Sequence, residues 1–350
     1  MNSSTPARGR FERALLSGRP VVTCEISSSD GADPEDVRRR GRLVRDYVDA
    51  VNVPDNTSGV VHASPISSCA ILAQEGIDPI MHMTCRDRNR LALQSDLLSA
   101  ALLGVRNILC LSGDHVIHGD HPQAKPVYDL DSTQLVELAI RMTREGRYLS
   151  GREIKPPPDL FPGSAENPFA PPYDFRPLRL AKKVQAGTRF VQTQIVFNVE
   201  RFAEFMGGVR DLGLDRKVPI LAGVAPIRSV KAARFMRDEV PGMEVPEPLI
   251  RRMEQAGDKK ARREDEGIQI CVEIIEDLRK VPGLAGFHLM PINWQSAVGE
   301  IARRARLQPA TAPERTPCDD TAPTPVTAAL GAASAPGSLP LLRDPQERGP

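Results

Sequence analysis

Eight short runs rich in β-formers, each followed by a stretch of helical period, limit what this chain can fold into more than any other feature. "VVTCEIS" (21–27) leads into "PEDVRRRGRLVRDYV", "DAVNVPD" (49–55) into "SPISSCAILAQEG", and "PIMHMTC" (79–85) into "RNRLALQSDLLSAALLG". "NILCLSGD" (107–114) reaches "DSTQLVELAIRMTREG" after a polar loop. The second half repeats the pattern from "LFPGSAE" (160–166), "FVQTQIVF" (190–197), "VPILAGVAP" (218–226) and "GFHLMPI" (286–292). Strands alternating with helices are the mark of parallel βα units. Eight such units over about 290 residues predict an α/β chain folded as a (β/α)8 TIM barrel rather than an open doubly wound sheet. No GxGxxG follows the first strand, as an open dinucleotide-binding sheet would normally require.

Two regions break the alternation. Residues 146–178 contain "KPPPD" and "NPFAPPYDFRP", too rich in proline for regular structure and long enough to predict a functional loop beside the barrel mouth. From 306 onward, nine of the 32 prolines fall within 45 residues that hold no aromatic side chain. Such a segment has little to bury, so the expected organisation is a barrel domain over 1–305 and a disordered Pro/Ala-rich tail over 306–350.

Charge and cysteine usage narrow the function classes. With 46 Lys+Arg against 45 Asp+Glu and no basic stripe interleaved with aromatics, no nucleic-acid partner is expected. No apolar run approaches the ~18 residues of a membrane span, and the charged N-terminus lacks a signal-like apolar core. The six cysteines (Cys24, Cys69, Cys85, Cys110, Cys271, Cys318) form no CxxC pair. Several lie in apolar runs, which predicts reduced thiols and a cytoplasmic location.

In a TIM barrel the chemistry sits at the C-terminal strand ends. The polar residues predicted there are Glu25, Asp55, His82, Thr84, Asp114, Gln194, His288 and Asn293. A carboxyl such as Glu25 at the end of a buried strand has a raised pKa and suits a general acid, unless a Lys or Arg pairs with it. Asp114, after Gly113, could order a loop through backbone N–H groups or accept a hydrogen bond from a bound ring. Gln192 and Gln194 alternate along one strand and would share a face, where amides serve heterocycles or water equally well. "CLSGDHVIHGDH" (110–121) places His115, His118 and His121 at spacings of three across a glycine. A metal centre would need these ligands on a fixed element, so a polar loop over the pocket is the preferred reading.

Together these residues resemble a known family. "PIMHMTCRDRNRLALQSDLLSAALLGVRNILCLSGD", "RLAKKVQAGTRFVQTQIVF" and "GFHLMPIN" are similar to the third and fourth strands, the K-x-x-AGA-x-x-x-x-TQ segment and the last strand of 5,10-methylenetetrahydrofolate reductases. The resemblance implies a TIM barrel holding FAD at the strand ends. It implies hydride transfer from NAD(P)H to flavin and from flavin to 5,10-methylenetetrahydrofolate, giving 5-methyltetrahydrofolate. By position it makes Glu25 the general acid, Asp114 the aspartate that tunes flavin and folate, and Gln194 a folate contact. His82, Thr84, Asp114, Lys183 and Ala186 fall on flavin-contacting positions. Four positions depart from the better-known members: Pro54, Ser112, Phe161 and Ala165 stand where those carry Thr, Arg, Tyr and His. Ser112, Phe161 and Ala165 are carried over as cofactor-lining positions. Val230 takes the place of a phenylalanine that holds nicotinamide and folate, which implies weak direct use of NADH. "VNVPDN" and "CLSGDHVIHGDHPQAKPVYDLDS" look like a subgroup from one-carbon pathways of anaerobes and methyl-group users. Some members of that subgroup work with an iron–sulfur and zinc partner subunit, so the expected assembly is a homo-oligomer or such a hetero-complex. Two other classes stay open at this point: a metal-dependent barrel lyase or hydrolase using His115, His118 and His121, and a folate-binding subunit without turnover.

Overall fold

Eight parallel strands pair in chain order and close on themselves: β1 (Val21–Glu25), β2 (Ala50–Val53), β3 (Pro79–Thr84), β4 (Asn107–Leu111), β5 (Phe161–Glu166), β6 (Val191–Ile195), β7 (Ile220–Val224) and β8 (Gly286–Leu289). β8 pairs back onto β1, with Val22 opposite Phe287. This is the TIM barrel expected from the alternation. The structure is a computed structural model and describes residues 9–309. The tail expected from 306 lies, from residue 310 on, outside the described residues. Ala305 and Leu307 are buried in the main core cluster, so the folded unit runs past the expected boundary at 305.

Among the described residues eleven α-helices surround the strands: α1 (Arg10–Leu16), α2 (Pro34–Val44), α3 (Pro65–Gln74), α4 (Arg90–Leu102), α5 (Ser132–Arg144), α6 (Phe175–Ala186), α7 (Val199–Asp211), α8 (Val230–Glu239), α9 (Glu247–Gln255), α10 (Lys260–Leu278) and α11 (Val298–Arg304). The helix boundaries follow local chemistry. Asp33, Asn89, Asp131, Asn198 and Ser229 accept backbone N–H groups at the starts of α2, α4, α5, α7 and α8. The connection between β7 and β8 holds three helices where the pattern predicted one, and α1 precedes the first strand. No helix among the described residues is long and apolar enough to cross a membrane.

The main core lies between strands and helices, and a second cluster seals the end of the barrel where the strands begin. There Phe11 of α1 meets Phe190 edge-on at 4.9 Å, and Phe190 stacks on Phe161 at 5.7 Å. A Cβ on Gly163 would meet the Phe190 ring at 2.4 Å, so only glycine fits beside this plug. Phe161 opens β5 inside it, at the far end from the mouth, and the expectation that it contacts a cofactor is corrected. The proline-rich stretch also divides. Residues 146–160 precede β5 and therefore lie at the plugged end, with Phe161 N–H donating to the Arg106 carbonyl. Only the residues between β5 and α6 belong to the mouth.

Candidate active site

Each strand that ends in a polar residue delivers it to one cavity of about 390 Å³ at the mouth, within the range of small-molecule sites. Glu25, His82, Thr84, Ser112, Asp114, Ala165, Lys183, Gln194 and His288 all line it, and so does Asp55. Asn293 does not line it. It follows β8 with a left-handed backbone, φ 59°, and accepts a hydrogen bond from Ser27 Oγ.

Glu25 is the last residue of β1. Among the described residues no cation or hydrogen-bond donor pairs with its carboxyl group. Burial alone raises its pKa to about 7, so near neutrality the group holds a proton that it can give up. The alternative in which a Lys or Arg neutralises it is absent from the structure.

Around the β2–β4 side the mouth is braced by ion pairs. Asp55, buried at the end of β2, accepts the Thr84 N–H at 2.8 Å, the Thr84 hydroxyl at 2.9 Å and Arg88 Nη1 at 2.7 Å. Thr84 is thereby committed to the protein through its hydroxyl. Arg86, 1% exposed, holds Asp87 through two nitrogens and donates to the carbonyls of Asp114 and Asn56. One guanidinium thus ties the β2, β3 and β4 loops together. Asp114 follows Gly113, whose φ of 87° only glycine adopts freely. Its Oδ2 accepts the N–H of Ser58, a residue at φ 57° in a single turn of 3-10 helix over Thr57–Gly59. Of the two roles open for Asp114, loop ordering is therefore present, and its position on the cavity wall leaves Oδ1 for a ligand.

Opposite stands a cationic corner built on β5 and α6. Lys183 is buried, donating to Glu166 Oε2 at 2.8 Å and to the Ala165 carbonyl. Burial lowers the Lys183 pKa, and Glu166 partly restores it. Lys183 reaches the mouth from low on α6 because helical side chains slant toward the helix N-terminus, which here is the mouth end. Arg176 donates through Nε and Nη2 to the carbonyls of Ala170 and Pro171, and Arg179 has no carboxylate partner among the described residues. Three cations therefore face one carboxylate.

Beneath the cavity a polar network crosses the barrel. Asn52 and Gln192 exchange two amide hydrogen bonds, at 2.7 and 3.1 Å. Asn52 also donates to His82 Nε2 at 2.9 Å, and Gln192 to Thr23 Oγ1 at 2.9 Å. Thr23 Oγ1 lies 2.9 Å from His288 Nδ1. Burial holds both histidines neutral, with pKa values pushed down to about 4 for His82 and about 3 for His288. Gln194, one residue pair further along β6, turns its Oε1 to its neighbour's N–H.

Besides Phe161, two carried-over positions lie away from this cavity. Ala186 ends α6, three residues beyond Lys183 toward the plugged end, and has no side chain long enough to return. Val230 opens α8, packs against the main core and is not among the residues that line the cavity. His115, His118 and His121 are exposed on the loop after β4. No group of three His, Cys, Asp or Glu able to hold a metal ion occurs among the described residues, so the metal-dependent reading loses the centre it needed. Arg86, Arg176, Arg179, Asn52 and Thr23 were not legible as site residues. The only signal was a polar residue within an apolar strand, as in "AVNV".

Residues 10–306 match the family model described as methylenetetrahydrofolate reductase. The chain belongs to the methylenetetrahydrofolate reductase family. It is 27% identical over 252 residues to a Caenorhabditis elegans protein named probable methylenetetrahydrofolate reductase (NADPH), covering 71% of this chain and 35% of that protein. It is 28% identical over 239 residues to methylenetetrahydrofolate reductase 2 of Schizosaccharomyces pombe, covering 66% and 36%. The chain thus spans little more than a third of these two reductases. Against the 5,10-methylenetetrahydrofolate reductase of Salmonella typhimurium the identity is 25% over 224 residues, covering 64% of this chain and 68% of that one. Among solved structures, an uncharacterized Clostridium thermocellum protein that binds two copies of 5-methyl-5,6,7,8-tetrahydrofolic acid shares the barrel fold. Its TM-score is 0.59 at 15% identity, over 85% of this chain and 98% of that one.

Proposed function

We propose that this barrel reduces 5,10-methylenetetrahydrofolate to 5-methyltetrahydrofolate with FAD as its cofactor, and that Glu25 is the general acid. The observation that carries the reading is a carboxyl group at the mouth with no counter-ion and a pKa of about 7. Membership of the reductase family and the folate ligand of the Clostridium thermocellum neighbour support the substrate class.

The residues fit a flavin. Arg179 offers a guanidinium with no carboxylate partner, beside Arg176 and Lys183, which suits a diphosphate. His82, Ser112, Asp114 and Ala165 would line the ring and ribityl chain. When bound, the flavin supplies a hydride to the substrate. The protein's part is acid catalysis and placement. Protonated Glu25 gives its proton to a nitrogen of the methylene bridge, the C–N bond opens, and Glu25 is left as carboxylate. The iminium carbon so formed can accept hydride. Gln194 and Asp114 hold the folate, Asp114 with one oxygen fixed on Ser58.

Purified protein is expected to take up FAD at micromolar concentration and to show flavin absorbance. Protein that binds neither FAD nor FMN under those conditions would contradict the reading. Electrons enter from NAD(P)H or from an electron-donating iron–sulfur and zinc partner subunit, in a homo-oligomer or hetero-complex in the cytoplasm. Val230 gives no ground for excluding nicotinamide, because it lies outside the cavity. Flavin bleaching within milliseconds of mixing with NADH or NADPH alone assigns the first donor. Its absence assigns the partner.

A further inference from the structure

Three buried amide and hydroxyl groups beneath the cavity link two histidines that lie on different strands. Asn52 has two amide protons, and both are used, on Gln192 Oε1 and on His82 Nε2. Gln192 likewise gives one to Asn52 Oδ1 and one to Thr23 Oγ1, with His288 Nδ1 3.3 Å away. The Thr23 hydroxyl already accepts from Gln192, and its own proton has one acceptor within reach, His288 Nδ1. With both amides oriented as they stand in the structure, counting protons fixes both rings. His82 accepts at Nε2 and carries its proton on Nδ1; His288 accepts at Nδ1 and carries its proton on Nε2. Neither protonated nitrogen has a protein partner among the described residues, and both rings line the cavity.

The two tautomers are coupled. If the Asn52–Gln192 pair turned both amides over, Asn52 would accept from His82 Nε2 and Gln192 would accept from Thr23 and His288 Nδ1. Both free nitrogens would then become acceptors together. A mixed state leaves two lone pairs or two protons facing each other in a buried site, at the full desolvation cost of an unmade hydrogen bond.

We infer that the Asn52–Gln192 pair is a tautomer clamp that presents His82 Nδ1–H and His288 Nε2–H as two donors on the cavity floor, selecting a flat heterocycle with carbonyl or ring-nitrogen acceptors. Asn52, Gln192 and Thr23 are positioning residues in this arrangement, acting through the two rings. The burial that keeps both imidazoles neutral supports it, since a cationic ring would have no acceptor nitrogen for the network. The choice of heterocycle rests on the folate and flavin reading above; the tautomers do not.

The test is two-bond ¹H–¹⁵N correlation NMR on ¹⁵N-histidine-labelled full-length protein at neutral pH, with His82→Gln and His288→Gln used for assignment. Opposite neutral tautomers are expected, Nδ1–H for His82 and Nε2–H for His288. The same tautomer in both, or the reversed pair, would overturn the clamp. Gln192→Leu is expected to return His288 to a tautomer mixture, and the wild-type spectrum decides the matter if that variant fails to fold. Adding 5-methyltetrahydrofolate, with binding followed in parallel by calorimetry, should shift both protonated nitrogens, and His288→Phe should weaken binding about three- to ten-fold. Binding with neither nitrogen shifted would refute the donor role. Wild-type protein that binds no folate yet shows the opposite tautomers would instead count against the folate reading and leave the clamp standing.

Discussion

Replacing Glu25 by Gln is expected to slow folate reduction about 10²–10⁴-fold, the usual worth of a positioned general acid, while flavin reduction by dithionite keeps its wild-type rate. The amide is nearly isosteric, but its N–H protons are far too weakly acidic to transfer to the substrate nitrogen. Wild-type activity toward the folate should fall as pH rises through about 7, where the Glu25 carboxyl ionises, and the residual activity of the variant should lack that step. Stability carries the same signature. Glu25 binds its proton more tightly folded than unfolded, so its contribution is complete below the ordinary glutamate pKa and is lost as pH rises through about 7. Melting temperatures at pH 5 and pH 8.5 should therefore diverge for the wild type more than for Glu25→Gln. Equal loss of both half-reactions would show that the substitution disturbs the fold or the flavin instead.

Lys183→Met should cost about 3–5 kcal/mol of stability, because it removes the ion-pair partner of Glu166, whose site is only 3% exposed. The methionine replaces the aliphatic stem, so lost packing accounts for little of this. Adding Glu166→Gln to the same chain should restore most of the loss, since the remaining amide carries no charge to desolvate. Urea denaturation of the wild type and the two variants measures it. A Lys183→Met protein with wild-type stability and weakened flavin binding would make Lys183 a ligand contact rather than the counter-ion of Glu166.

The barrel was legible because its signal is local and repeated. A four- to six-residue strand and a helical stretch after it recur eight times, and each unit reads without reference to the others. The mouth was partly legible for the same reason: a polar residue that closes an apolar strand, as Glu25 closes β1, must lie at the end of the barrel. Height along a strand was harder. Phe161 was matched by position to a cofactor contact, yet β5 begins at Phe161, and an inward side chain at a strand's first residue fills the floor plug with Phe11 and Phe190. Ala186 fails similarly, since a helix that returns from the mouth carries its last residues away from it. The network beneath the cavity was beyond reach because it is non-local: Asn52 and Gln192 are 140 residues apart and meet only when the barrel closes. Arg179 gave no signal either, because an unpaired cation cannot be told from a paired one until its neighbours are known.

Anaerobic mixing of dithionite-reduced, flavin-loaded protein with 5,10-methylenetetrahydrofolate tests the central claim most directly, since it needs no physiological donor and no partner. The expected result is stoichiometric reoxidation of the flavin with formation of 5-methyltetrahydrofolate, slowed by the Glu25→Gln substitution. A flavin that stays reduced while calorimetry shows the folate bound would contradict the account and make the chain a folate-binding barrel without turnover.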